Sequence, residues 1–340
     1  MEFIVFLLRR VLWSIFVLLG LSIVIFLIAR VIPGDPARIA LGPSATAEQV
    51  LDLRSRLGLD RPMIEQYFLF ASGLFEGDLG RSLLTSRPVQ DDIRATFAAT
   101  FELVFVTVSL SLLLGLPLGI VAARWRSRWP DHLVQGVSIF SAVTPTFLKA
   151  LLLQMLAGYV LHVLPTQGRL SGDIDFAADV TGMMLVDSIL RGRGDIFLDA
   201  GRHLILPAIA LSLASMGQIA RITRASMIEV FGKDYIEASR AFGIPERVQV
   251  LKYALRPSLV PPLTILGLQF SALIGNSFVV ELIFAWPGMA SYGMRTILQK
   301  DLNAVMGVVM VSGAFFVTVN LLIDIVVGFV DPRIRIRAKG

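Results

Sequence analysis

Leu103-Val104-Phe105-Val106-Thr107-Val108-Ser109-Leu110-Ser111-Leu112-Leu113-Leu114-Gly115-Leu116-Pro117-Leu118-Gly119-Ile120-Val121-Ala122-Ala123 carries no charge, and its reading decides the fold class. A helix needs about 20 predominantly apolar residues to cross the hydrocarbon of a bilayer. This run is long enough, and it lacks the alternation of barrel strands. Val11 to Ala29 and Leu259 to Val280 are uncharged in the same way. Working outward gives six spans, at 11–32, 103–123, 133–161, 204–220, 259–280 and 304–330. The third holds Pro145 and Lys149, and the short fourth holds Pro207. In the second, Gly115 and Gly119 form a Gly-x-x-x-Gly face beside Pro117, which predicts close packing on a neighbouring helix, with a kink. Of the 340 residues, 55% are hydrophobic and 17% charged, against about 25% charged in a soluble domain. We therefore expect an all-α polytopic membrane protein, residues 1–340 forming a single transmembrane domain with six transmembrane helices.

Basic residues near span ends stay on the cytoplasmic side. Placing both termini there assigns to it Arg9 and Arg10, then Arg124, Arg126 and Arg128, then seven bases from Arg221 to Arg256, then Arg333, Arg335, Arg337 and Lys339. The opposite loops hold fewer bases over nearly twice the length. Residues 33–100 and 165–202 are then extracytoplasmic loops, and 221–258 is a cytoplasmic one. Arg9 and Arg10 resemble a signal-peptide n-region, but the apolar run after them is too long for an h-region, so it reads as a retained first span. Within 33–100, Glu65-Gln66-Tyr67-Phe68-Leu69-Phe70 followed by Gly73-Leu74-Phe75 reads as a short amphipathic helix at the outer interface.

Several function classes are disfavoured. There is no cysteine, hence no thiol chemistry. His132, His162 and His203 are scattered, and neither His-Glu-x-x-His nor Gly-x-Ser-x-Gly occurs. Gly232-Lys233 lacks the rest of a phosphate-binding loop. An ion-driven transporter would show inverted repeats and buried mid-membrane carboxylates, whereas Glu102 and Asp324 sit at span ends. The net charge of +5 fits basic loops and gives no reason to expect a nucleic-acid partner.

Between spans four and five the chain reads Lys233-Asp234-Tyr235-Ile236-Glu237-Ala238-Ser239-Arg240-Ala241-Phe242-Gly243-Ile244-Pro245-Glu246-Arg247. Residues through Phe242 favour helix, Gly243 suits the left-handed position that ends one, and Pro245 suits the first turn of the next. In the second helix Val248, Leu251, Tyr253 and Leu255 offer apolar contacts, while Arg247, Lys252 and Arg256 are basic. Two readings stay open on these residues: a helix resting on lipid headgroups, or a rigid knob entering a groove on a partner.

Glu237-Ala238-Ser239, three residues, then Gly243 resembles the EAA loop of binding-protein-dependent ATP-binding-cassette importers. Ser239 replaces the usual second Ala, and Tyr253 and Arg256 stand where the general pattern has Ile and Pro. The resemblance extends along the chain to the dipeptide, oligopeptide and nickel permease family, through Pro33-Gly34-Asp35-Pro36, Leu57-Gly58-Leu59-Asp60-Arg61-Pro62, Gly77-Asp78-Leu79-Gly80-Arg81-Ser82, Leu164-Pro165-Thr166-Gln167-Gly168, His203-Leu204-Ile205-Leu206-Pro207-Ala208, Arg221-Ile222-Thr223-Arg224, Glu281-Leu282-Ile283-Phe284, Pro287-Gly288-Met289, Lys300-Asp301 and Asp331-Pro332-Arg333-Ile334-Arg335.

That resemblance implies a type I importer (MetI-like) permease fold in the bacterial inner membrane. It implies as partners a second homologous permease, two ATP-binding subunits that bind ATP and Mg, an extracytoplasmic solute-binding protein and membrane lipid, with no cofactor in this chain. Coupling to the ATPase would fall on Tyr235, Glu237, Ala238, Ser239, Gly243, Pro245 and Arg247. Short peptides are the expected cargo, with nickel chelates, glutathione, opines or sugars as alternatives. Polar residues inside spans, Lys149, Gln269, Asn276, Glu281 and Asn320, are candidates for the pathway, the competing role being interhelical hydrogen bonding. For Lys149 the alternatives are a substrate carboxylate or snorkelling to the outer interface.

Overall fold

The computed structural model describes residues 2–31, 36–41, 45–56, 58–172, 174 and 176–330. Ile32, Pro33-Gly34-Asp35, Leu57 and the tail from Asp331, with its four bases, lie outside the described residues. The helices are α1 (Glu2–Val31), α2 (Pro36–Leu41), α3 (Ala47–Arg56), α4 (Met63–Glu76), α5 (Val89–Arg124), α6 (Trp129–Val143), α7 (Thr146–Leu153), α8 (Met184–Leu190), α9 (Gly194–Phe231), α10 (Asp234–Ala241), α11 (Glu246–Val248), α12 (Leu255–Ser258), α13 (Val260–Ile283), α14 (Met289–Leu298) and α15 (Leu302–Val330). π-Helical turns follow α7 at Gln154–Val160 and α11 at Gln249–Ala254. Among the described residues there is no strand, only an isolated bridge between Arg81 and Pro88.

Helices dominate because a chain in hydrocarbon must satisfy every backbone N–H and C=O internally. Among the described residues four are long and apolar enough to cross a bilayer unbroken: Leu7–Arg30 of α1, α5, α9, and Leu302–Ile323 of α15. Two broken pairs qualify as well. Trp129–Val143 and Thr146–Val160 meet at 107°, and Val260–Phe270 and Ala272–Ile283 at 55°. The fold is thus all-helical with four to six apolar spans. The third expected span is folded into a corner, since Pro145 has no N–H to continue the ladder and starts α7 in an extended conformation (φ −57°, ψ 143°). Pro117 and Pro207 leave α5 and α9 continuous. Both of these helices begin well before their expected spans, the apolar run being the C-terminal part of α5 and the middle of α9.

The chain divides into two compact units, Met1–Ala98 with Gly288–Thr318, and Ala99–Pro287 with Val319–Gly340. In the first, α4 lies against α1: Tyr67 Oη and Ser22 Oγ are 3.0 Å apart, and Phe26 packs on Tyr67 and Phe70. The other face of α4 exposes Ile64, Phe68 and Phe75, as an amphipathic interfacial helix requires. Beyond it, buried Asp301 accepts hydrogen bonds from Ser82 Oγ (2.6 Å) and the Leu84 N–H (3.1 Å), tying the segment after Gly80 to the start of α15.

The second unit is built around α9, 72% of whose apolar window is buried, against 17% for α1. The Gly-x-x-x-Gly face of α5 packs on it. A Cβ at Gly115 would stand 2.9 Å from the Met216 carbonyl oxygen, and one at Gly119 would stand 2.6 Å from that of Ala220. On its other flank, Arg224 of α9 grips Asp131 of α6 with two hydrogen bonds, Nε–Oδ1 2.6 Å and Nη2–Oδ2 2.8 Å.

Candidate functional site

The Arg221–Ser258 segment grows directly out of α9, which continues to Phe231 before turning at Gly232 into α10. The end of α10 satisfies its last carbonyls in a defined way. The Ile244 N–H donates to the Ser239 carbonyl (3.1 Å) and the Gly243 N–H to that of Arg240 (2.9 Å). This six-to-one and five-to-two pair is the Schellman closure, which needs a left-handed residue at its hinge. Gly243 supplies it, with φ +68°. Nothing lies within 4 Å of where its Cβ would be, so the demand for glycine comes from the backbone and not from crowding. Pro245 follows at the cap position of α11, one residue earlier than expected, where its carbonyl accepts from the N–H groups of Val248 and Gln249. Gln249 Nε2 reaches back to the Ile244 carbonyl at 2.6 Å, so the bend is bonded from both sides.

Beneath the bend lies an apolar cluster of Ile236, Val250 and Ala254 with Ala123 at the end of α5 and Met227 and Val230 near the end of α9. The inward row on the second helix is Val250, Ala254 and Ser258, four residues apart and therefore on one face. This corrects the expected set: Tyr253 and Leu255 do pack on the cluster, but Val248 and Leu251 are exposed. Burying each large side chain here stabilises the loop by about 1.5–3 kcal/mol. Arg124 and Glu246 add an exposed two-armed ion pair (2.9 and 3.0 Å).

Of the predicted coupling residues, Ser239 is buried, its Oγ donating to the Ile236 carbonyl at 2.7 Å. Tyr235, Glu237, Ala238, Gly243, Pro245 and Arg247 are exposed. Beside them Phe242 is 84% exposed and Leu251 59%, apolar surface that is costly in water. Sequence reasoning passed over Phe242, although a large aromatic just before the helix-ending glycine was its signal.

The five pathway candidates are spread over α7, α13 and α15. Lys149 is buried and turned inward, its Nζ donating to the Ser141 carbonyl at 2.9 Å; the structure thus departs from the snorkelling expectation. Gln269 of α13 accepts from Ser215 Oγ of α9 (2.7 Å) and donates to Gln218 Oε1, a polar ladder between helices to which Gln218 was the unforeseen contributor. Glu281 is fully buried, its Oε1 accepting from Thr100 Oγ1 (2.7 Å) and Ser277 Oγ (3.0 Å). Asn276 is exposed on α13, and Asn320 is half-buried on α15.

The 165–202 segment is anchored by acids. Glu102, at the head of the apolar run of α5, is buried against Arg169 (2.5 Å) and accepts from the Leu185 N–H (2.7 Å), while Arg169 lies over the Trp286 ring. Asp187 accepts from Thr181 Oγ1 (2.6 Å) and from the N–H groups of Val180 and Thr181. Burial disfavours its charge, but the hydrogen bonds from Thr181 and neighbouring backbone outweigh this and hold the carboxyl below the usual aspartate range.

Comparison with known proteins agrees along the whole chain. Residues 115–336 match the family described as binding-protein-dependent transport system inner membrane component. Residues 3–104 match the N-terminal region of such membrane components. Similar proteins include the probable D,D-dipeptide transport system permease protein DdpB of Escherichia coli, 42% identical over 96% of this chain and 96% of that one. The dipeptide transport system permease protein DppB of Alkalihalophilus pseudofirmus is 37% identical over 96% and 98%. The glutathione transport system permease protein GsiC of Escherichia coli is 32% identical over 97% and 98%.

Proposed function

Because this chain belongs to the family of inner membrane components of binding-protein-dependent transport systems, we propose that it forms half of an inner-membrane pathway for short peptides and that its Arg221–Ser258 loop is the element an ATPase moves. It is a multi-pass permease subunit of an ATP-binding-cassette importer, the membrane component and not the subunit that hydrolyses ATP. In our reading six helices cross the membrane, each broken pair counting once, with both termini and the 221–258 loop cytoplasmic and 33–100 and 165–202 outside. A second permease completes the pathway, two ATP-binding subunits hold ATP and Mg, and an extracytoplasmic binding protein delivers the cargo. The dipeptide systems to which two of the relatives belong support the peptide reading. Glutathione, itself a small peptide and named for another relative, is the second reading.

The observation that carries the coupling role is the loop's construction. Its outer surface offers Tyr235, Phe242 and Leu251, while its inner surface is continuous with the ends of α5 and α9. A partner that prefers one position of this loop shifts the two helices with it, because a ligand moves an equilibrium only by differential affinity.

Two measurements test this. In proteoliposomes holding the full set of subunits and the binding protein, uptake of a labelled dipeptide should require ATP; full-speed uptake by this chain without the ATPase would end the proposal. The chain has no cysteine, so Phe75→Cys and Phe242→Cys are unique reporters. An impermeant maleimide should label the first from outside and the second only after permeabilisation, and the reverse pattern would invert the topology.

A further inference from the structure

The first unit holds a cleft of about 90 Å³ beside the far end of α1, room for several waters. Leu59, Leu83, Leu302 and Met306 wall it, and Arg30 and Asn303 are its polar lining. Arg30 closes the apolar window Leu7–Arg30, so its guanidinium stands at the level where hydrocarbon gives way to headgroups. It is half-buried over the Phe26 ring, and its Nε is buried without a hydrogen-bond partner among the described residues.

The acid beside the wall at Leu302 does not satisfy it. Asp301, next to the wall residue Leu302, is occupied by Ser82 Oγ, the Leu84 N–H and the Ala304 N–H. Asn303 gives its Nδ2 to the Arg81 carbonyl. The guanidinium lines the cleft, and its fork matches phosphate oxygens. Free phosphate would answer the charge but leave four apolar side chains unmatched. A lipid phosphodiester, with glycerol and acyl carbons attached, answers both.

We propose that this cleft binds the phosphate headgroup of a membrane phospholipid, Arg30 holding the phosphate and the Leu302–Met306 wall holding the first acyl carbons. The full-length chain, reconstituted in phosphatidylethanolamine and phosphatidylglycerol vesicles with a trace of phosphatidylglycerol carrying a diazirine close to the glycerol, is irradiated and its labelled peptides are mapped. Label should concentrate on the peptide containing Leu302 and Met306. Arg30→Leu should lower it by about tenfold, the loss of one charge-assisted contact. Met306→Trp, which fills the cleft and keeps the charge, should lower it similarly, so the proposal stays testable if the Arg30 variant fails to insert. Excess inorganic phosphate should leave the labelling unchanged. Equal labelling of wild type and the inserted variants, or displacement of the lipid by inorganic phosphate, overturns the proposal.

Discussion

Lys149 and Ser141 are joined across the corner at Pro145 by a single hydrogen bond, Nζ to carbonyl oxygen at 2.9 Å. Ser141 precedes the proline by four residues, so its carbonyl is the acceptor that the missing proline N–H would have served. The lysine replaces that lost rung from one helical turn further along, which explains why a cation is tolerated in an apolar segment.

Lys149→Met should therefore act on stability. It keeps the length of the side chain and leaves a buried carbonyl unmet, at a cost of about 1–3 kcal/mol. Thermal unfolding of the detergent-purified chain reads this directly. A substrate-contact role predicts the opposite outcome: unchanged unfolding with altered uptake.

At Gly243 the expected effect is on coupling. No atom obstructs a side chain there, so Gly243→Val should insert and accumulate normally. Forcing an L-residue into the left-handed region costs about 1–2 kcal/mol, enough to shift the population of the closed bend, and with it ATP-driven uptake, by about tenfold. Wild-type uptake by a stably expressed variant would refute the joint.

Two anchors of the same loop should differ sharply. Ile236→Ala empties a fully buried position and should cost about 2–5 kcal/mol. Glu246→Ala breaks an exposed ion pair, for which about 0.5 kcal/mol, screened by salt, is the expectation. Protease sensitivity at Arg240 and Arg247 measures both, and comparable sensitivity in the two variants would mean that the apolar cluster is not what holds the loop.

Asp187 supplies a pH dependence. Its folded pKa is depressed, so its contribution is present above the unfolded aspartate value of about 3.9 and is lost as pH falls through the lower folded value. Proteolysis within 176–193 by an acid-active protease should rise as pH drops below about 4. In Asp187→Asn, whose amide cannot accept all those bonds, the segment should already be open at neutral pH, and protection unchanged by either treatment would deny the carboxylate this role.

Much of this was legible because hydrocarbon imposes one rule on long uncharged runs, and the apolar parts of α1, α5, α9 and α15 follow it. Gly243 was legible too, since a positive φ is a local demand. What escaped the sequence was set by partners distant along the chain. Asp91, Asp92 and Arg94 disguised the first turns of α5, whose Asp92 is satisfied by Thr85 and Tyr292. The inward course of Lys149 depended on a carbonyl freed by Pro145. Gln218 joined the site only because Gln269 faces it from another helix. The inward row of the second loop helix was misjudged by counting apolar residues without regard to their spacing.

The near-contact of Gly115 and Gly119 with α9 bears on how motion travels. Backbones so close cannot slide past each other like pistons, because any side chain carried into register would collide. α5 meets the loop's apolar cluster through Ala123, and α9 meets it through Met227 and Val230, so under the proposed coupling role both rods would be driven from one point and tilt as a pair. The give would then come from elsewhere, and the 107° corner between α6 and α7 and the 55° bend in α13 are the places where this chain has already surrendered straightness.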